Sequence, residues 1–207
     1  TPEEGYIIVT DYNGEQVKVK QNPTYIGSLF AVSTHVFSML GDADKIVTIP
    51  EGNTRDYLFC EIYPQILEAR IVKGNSVVNI EEVVKKPRPE ILITNPEGST
   101  DETTVNKIKR LGIPMITIAY DNMEQQKEII AMLASISGRE EEAEAYNEYY
   151  RSVVDLVASR TADIPDSERK NVYHAINELL RTDAVNTLSA DILKHCGVNN
   201  VALEETT

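Results

Sequence analysis

Three stretches of the chain repeat one arrangement of apolar and polar positions: "VFSMLGDADKIVTI", "VNKIKRLGIPMITI" and "DILKHCGVNNVA". In each, apolar residues at helical spacing run into a glycine, which accepts the left-handed backbone that ends a helix, and a β-branched segment follows. This is the helix-to-strand junction of an alternating fold. Outward from these junctions, "YIIVTDYNGEQVKVK" alternates across Asn13-Gly14 and predicts an opening β-hairpin. A short strand at "TYIGSL" follows, then a helix near Ser33 to Leu40, a strand "KIVTI", a helix near Asp56 to Glu68, a short helix "NIEEVVKK" and a strand "EILIT". Ser99 and Glu102 stand at capping-box spacing where "STDETTVNKIKRL" begins, and "PMITIAY" is the next strand. Short apolar strands separated by helices predict a parallel sheet covered on both faces.

The pattern changes after Tyr120. "NMEQQKEIIAMLASIS" predicts one helix and "REEEAEAYNEYYRSVVDLVASR" a longer one, whose Tyr146, Tyr149, Tyr150, Val153 and Val157 form an apolar stripe at i, i+3, i+4, i+7 and i+11. About twenty helical residues span about 30 Å, the width of a small domain, so this segment predicts a strut. "ADIPDSERK" is a polar break, "NVYHAI" starts a new strand, "NELLRTDAVNT" is a loop and "LSADILKHC" a helix. One strand and one helix cannot bury a core. The expected fold class is therefore α/β: a parallel-sheet lobe covered by helices over 1–138 with an N-terminal β-hairpin, a long linker helix over 139–162, and an incomplete second α/β lobe over 163–207.

At 207 residues there is room for one large domain, or one domain and part of another. With 42% hydrophobic and 26% charged residues the chain is too apolar to be disordered. The 20 basic and 33 acidic side chains leave a net charge of −13, densest in "GREEEAEAYNE", which argues against nucleic acid and anionic lipid as partners. No run reaches the roughly 20 apolar residues of a membrane span. "TPEEGYIIVTDYNG" has neither the basic start nor the apolar centre of a signal peptide, so the signal segment of an exported protein is expected to lie outside this chain. Cys60 and Cys196 stand far apart with no C-x-x-C partner and read as two buried thiols.

Recognisable catalytic spacing is absent from the sequence. There is no G-x-G pair, no G-K-[ST] after a glycine loop and no G-x-S-x-G elbow. His35, His174 and His195 are scattered without H-x-x-x-H spacing, so no metal site and no catalytic residue is expected. His195, beside the glycine that ends its helix, suits the helix dipole, and His174 reads as a packed strand residue. His35 lies in the first turn of the first helix near a strand's carboxyl end, where ligands of open α/β sheets collect.

With these elements laid out, the chain resembles the class III substrate-binding proteins of ABC importers, from about Thr10 to Ala202. The resemblance is carried by "VTDYNGEQVKVKQNPTYIGSL", by "STHVFSMLGDADKIVTI", by "VNIEEVVKKPRPEILITN", with Pro89-Glu90 where the family usually has Pro-Asp, and by "RLGIPMITI" followed by "LASISGREEEAEAY". It implies two α/β lobes joined by a rigid helix with the ligand held between them, no enzymatic activity, and no intrinsic cofactor. The implied ligand is a metal chelate: a ferric siderophore, haem or cobalamin. The implied partner is an ABC permease, and the implied location is extracytoplasmic, periplasmic or lipid-anchored. "NVYHAINELLRTDAVNTLSADILKHCGVNNVA" resembles the start of the family's second lobe, so the remainder of that lobe is expected to be missing here, favouring self-association through the incomplete lobe.

The ligand rim expected at the carboxyl ends of the strands is "LFAVST", "PEGNTRDY" and "NPEGS". It offers Phe30, Ala31, Val32 and Ser33, with His35 behind, then Pro50 and Arg55, the latter suited to an anionic chelate, and finally Asn95 and Glu97. Asn177 and Arg181 are the candidates from the second lobe. The resemblance also implies an exposed permease-docking glutamate, at Glu81. Two other classes share the plan: a sensor or adaptor domain on the same fold, and a doubly wound α/β enzyme of nitrogenase-like type, which would need cluster cysteines or a phosphate loop.

Overall fold

The computed structural model describes residues 4–75, 77–99 and 101–202. Within it, the described residues of Thr1–Ala119 and Ile130–Ala143 form one compact unit, and those of Tyr120–Ile129 and Glu144–Thr207 a second.

The first unit opens with β1 (Tyr6–Thr10) and β2 (Gln16–Lys20), antiparallel with Thr10 opposite Gln16. The loop between them is longer than a two-residue turn. Gly14 N–H donates to Asp11 O at 2.9 Å with Gly14 at φ +78°, and Asp11 Oδ1 accepts from the Asn13 and Glu15 amides. A central β3 (Ile26–Ser28) leads through α1 (Ala31–Phe37) to β4 (Ile46–Pro50), and then α2 (Tyr57–Ile62) to β5 (Arg70–Gly74). The helix expected to run from Asp56 to Glu68 stops at Ile62, because Pro64 has no N–H to continue it, and 64–68 tightens into a 3₁₀ turn. Strands β5 and β6 (Val77–Val78) were not anticipated from the sequence. After α3 (Ile80–Val84) come β7 (Ile91–Thr94), the short α4 (Pro96–Ser99), α5 (Glu102–Arg110) and β8 (Met115–Thr117). The cap of α5 is Asp101, whose carboxylate accepts the Thr103 and Thr104 amides; Ser99, expected in that role, instead ends α4.

The sheet order is β6-β5-β4-β3-β7-β8, parallel throughout except for β6. Strands β3, β4 and β7 are buried along their whole length, as parallel strands covered on both faces must be. Leu29, Val72, Val83, Leu92, Ile108 and Ile113 pack as one cluster, joining the sheet to α3 and α5.

Glu90 ties three segments together. Its carboxylate accepts from Lys20 Nζ at 2.6 Å and from the Thr24 and Tyr25 amides at 2.6 and 3.4 Å. Burial works against the charge, but these donors outweigh it and hold the Glu90 carboxyl below its ordinary range. A lowered folded-state pKa stabilises the fold above the unfolded carboxyl's pKa, and that contribution is lost as pH falls through the lowered value. Glu90→Gln is expected to cost about 1 kcal/mol at neutral pH. Urea midpoints of variant and wild type should converge as pH falls below the ordinary carboxyl range, and a gap constant with pH would exclude the ionised carboxylate as its source.

Helices α6 (Met123–Ser137) and α7 (Glu140–Thr161) contribute residues to both units. The packed face of α7 runs through Ala143, Asn147, Tyr150, Val154 and Val157 with Tyr146 beside it, whereas Tyr149 and Val153, expected on the stripe, are exposed. Both rows have apolar helical spacing, and only one of them packs. The second unit continues with β9 (Asn171–Val172), α8 (Leu188–His195) and β10 (Asn199–Asn200), a parallel strand–helix–strand unit. Asp191 of α8 accepts the Met123 amide at 3.0 Å, filling one of the orphan donors at the start of α6. Among the described residues no helix is long and apolar enough to cross a membrane.

Candidate functional site

The order of strands locates the site. From β3 the chain winds outward through β4 to β5, then returns to the other side of β3 as β7 and β8, so the winding reverses at β3. In open α/β sheets the crevice at the carboxyl end of such a reversal is where ligands bind. Here the carboxyl end of β3 is followed by Leu29, Phe30 and Ala31.

Two serines shape this turn. Ser28 Oγ and Ser33 Oγ lie 2.7 and 2.8 Å from Phe30 O and 2.7 Å from each other, so their two protons are shared between this carbonyl and the hydroxyl pair. Ser33 is thus fully buried and its hydroxyl is engaged in holding the loop. Asn53, also fully buried, donates from Nδ2 to Ala31 O at 3.2 Å and so links the loop after β3 to the loop after β4. Behind them the His35 ring stands edge-on to Phe59, centroids 4.3 Å apart, with Nε2 3.5 Å from Asp56 Oδ2. Burial lowers the His35 pKa and the Asp56 carboxylate only partly opposes this, which favours a neutral imidazole.

The rim encloses a concavity of about 190 Å³, lined in part by Phe30, Ala31, Pro50, Arg55, Lys73 and Asn75. Four of the residues singled out from the sequence therefore come together: Phe30, Ala31, Pro50 and Arg55. Arg55 is exposed and pairs with Glu51 at 2.7 Å. Val32, half-buried on α1, is outside the lining. Asn95 and Glu97 follow β7 at the same edge of the sheet, and the Glu97 carboxylate lies close enough to act on the Lys73 ammonium. Sequence reasoning missed Lys73 because it missed β5. The signal was "RIVKGN", a short apolar run closed by a Gly-Asn pair. Asn53 carried no signal of its own.

In the second unit Asn177 is exposed at φ +57° in a tight loop closed by Ile176 N–H donating to Arg181 O at 2.8 Å; Leu179 and Leu180 occupy its tip, 84% and 96% exposed. Glu81 is exposed in the first turn of α3. A cavity of about 640 Å³ lies in the second unit and includes Asn122, Gln125, Arg169, Asp191, Lys194 and Asn199. It contains none of the candidate residues, whereas the smaller rim lies at the strand reversal. No three His, Cys, Asp or Glu residues among those described gather to hold a metal ion.

No protein-family model matches the chain. An uncharacterized ABC transporter substrate-binding lipoprotein, YvrC of Bacillus subtilis (strain 168), is 21% identical over 203 residues, 97% of this chain and 62% of the relative. A periplasmic solute binding protein from Veillonella parvula DSM 2008 is 25% identical with a TM-score of 0.76, over 98% of this chain and 61% of that one. The molybdate periplasmic binding protein MolA of Haemophilus influenzae superimposes with a TM-score of 0.83 at 16% identity, over 96% of this chain and 66% of that one. Other solved neighbours bind vitamin B12, a ferric siderophore or nickel. These neighbours are class III periplasmic binding proteins, and the fold resemblance read from the sequence holds. The chain spans about three-fifths of the length of the relatives it matches.

Proposed function

We propose that this chain is the solute-recognition portion of an ABC importer's substrate-binding protein, working outside the cytoplasmic membrane and delivering its ligand to a permease. The observation that carries this reading is the concave rim at the strand reversal of a sheet with the fold of solute-binding proteins. Its lining mixes an aromatic ring, a proline and fixed charges, which suits binding and orientation of a solute. The role is binding without catalysis: the relatives are solute-binding proteins, and the rim brings together no nucleophile and base.

The ligand we favour is a metal chelate, a ferric siderophore, haem or cobalamin, seated against Phe30, Ala31, Pro50 and Arg55. The high structural similarity to a molybdate-binding protein makes a free oxyanion the second reading. Glu81, exposed on α3, is the proposed contact for a permease arginine.

The chain purified from its own host should carry a visible absorption band if the ligand is haem, cobalamin or a ferric siderophore, and its melting temperature should fall when that ligand is stripped. A colourless protein whose melting temperature also fails to rise with molybdate or any of these chelates would overturn the solute-binding reading.

A further inference from the structure

Lys73 owes its position to the register of β5 on β4, which sets it beside Pro50 at the carboxyl edge of the sheet. Its ammonium donates to Leu29 O at 3.0 Å, the carbonyl that follows β3 at the winding reversal. An ammonium has three N–H donors, and a single carbonyl engages one of them. Lys73 and Arg55 both line the 190 Å³ concavity, together with the Glu51 carboxylate, which stands beside Gly74, and with Gly52 and Ala31, whose small or absent side chains leave room for a ligand atom to approach. Arg55 is held in place by Glu51 at 2.7 Å, which uses part of the guanidinium's donor set.

We propose that this concavity is an anion subsite, with Lys73 selecting solutes that present negatively charged oxygens. The inference rests on the solute-binding reading above and adds the charge of the group that is recognised. Size restricts the occupant: pockets for whole drug-sized ligands run from about 300 Å³ upward, so this one takes a single oxyanion or one arm of a larger chelate. The electrostatics agree. Burial lowers the Lys73 pKa and Glu97 only partly restores it, so the half-buried ammonium gains from a further acceptor. The shared chemistry, anionic oxygen, has two sources, a free oxyanion or a chelate's carboxylate, catecholate or hydroxamate arm.

The test is calorimetric titration of the full chain and of Lys73→Met and Lys73→Arg with sodium molybdate, ferric tris-catecholate and the uncharged cyanocobalamin. The expected result is binding of an anionic probe that weakens about tenfold or more in Lys73→Met and is partly restored in Lys73→Arg, with unchanged far-UV circular dichroism in both variants. Binding of molybdate identifies a free oxyanion, and binding of the ferric complex alone identifies oxygens borne by a chelate. Equal affinity in wild type and Lys73→Met overturns the anion subsite while leaving the solute-binding reading intact. So does tight binding of cyanocobalamin without either anion. Failure of the wild-type chain to bind any of the three counts against both.

Discussion

Gly27→Val is expected to prevent the first unit from folding. Gly27 sits in the central strand, and a Cβ added there would lie 2.5 Å from Leu92 Cδ2, 2.7 Å from Thr48 Oγ1 and 2.9 Å from Pro89 Cβ. Two of these neighbours belong to the flanking strands β4 and β7, and Leu92 and Thr48 are themselves fully buried, so none has open space to retreat into. Overpacking of this kind costs about 1–3 kcal/mol for one added methylene and more when several neighbours are rigid. Gly27→Ala should therefore fold with an unfolding free energy lowered by about 3 kcal/mol and a correspondingly lower urea midpoint, whereas Gly27→Val, with three added carbons, consumes most of the about 5–15 kcal/mol that holds a domain together. An unchanged midpoint for Gly27→Ala would mean that Leu92 and Pro89 move aside without loss.

The second large effect is expected at Arg139. It follows the glycine that ends α6, and its Nε and Nη2 donate to Asp42 Oδ1 at 3.1 and 2.9 Å. Asp42 is fully buried and also pairs with Lys45 at 2.9 Å. Arg139→Met leaves that buried carboxylate with the lysine alone, and breaking a buried pair by removing one partner costs about 3–5 kcal/mol. Because Lys45 remains, the low end of that range, about 3 kcal/mol, is the expected loss in a denaturant melt. The double variant Asp42→Leu with Arg139→Met removes the stranded charge and should recover part of the stability. A double variant as unstable as the sum of both single ones would show that the two side chains contribute independently.

The elements most legible in the sequence were those whose ends are fixed by backbone chemistry. Gly41, Gly112 and Gly197, picked out as helix ends, adopt φ of +93°, +69° and +67°, values that a side chain would strain. The strands β3, β4 and β7 were equally plain, because strands buried on both faces are apolar throughout. Strand β5 was not. Only Val72 of its five residues is buried, Ile71 is 48% exposed, and Arg70 and Lys73 interrupt the apolar run. Its polar ends have uses that sequence alone does not show: Arg70 donates to the carbonyl of Glu82 in α3 and to those of Lys85 and Pro87 after it, and Lys73 reaches the rim. The site was legible to the same degree. Loop residues after recognised strands were found, whereas Lys73 was lost with its strand. Ser33 was named as a rim residue, but its distance from the surface depends on the turn that Ser28 and Ser33 build together.

The way the six-stranded sheet ends on each side bears on the behaviour of the protein at high concentration. One flank finishes with β6, two residues long and antiparallel to its neighbour. On the other, the opening hairpin's loop reaches across β8: Tyr12 N–H donates to Thr117 O at 2.9 Å, and Asp11 Oδ2 accepts the Thr117 amide at 3.2 Å. A foreign strand would thus meet few vacant peptide groups on either flank of the six-stranded sheet, and intermolecular extension of that sheet is disfavoured.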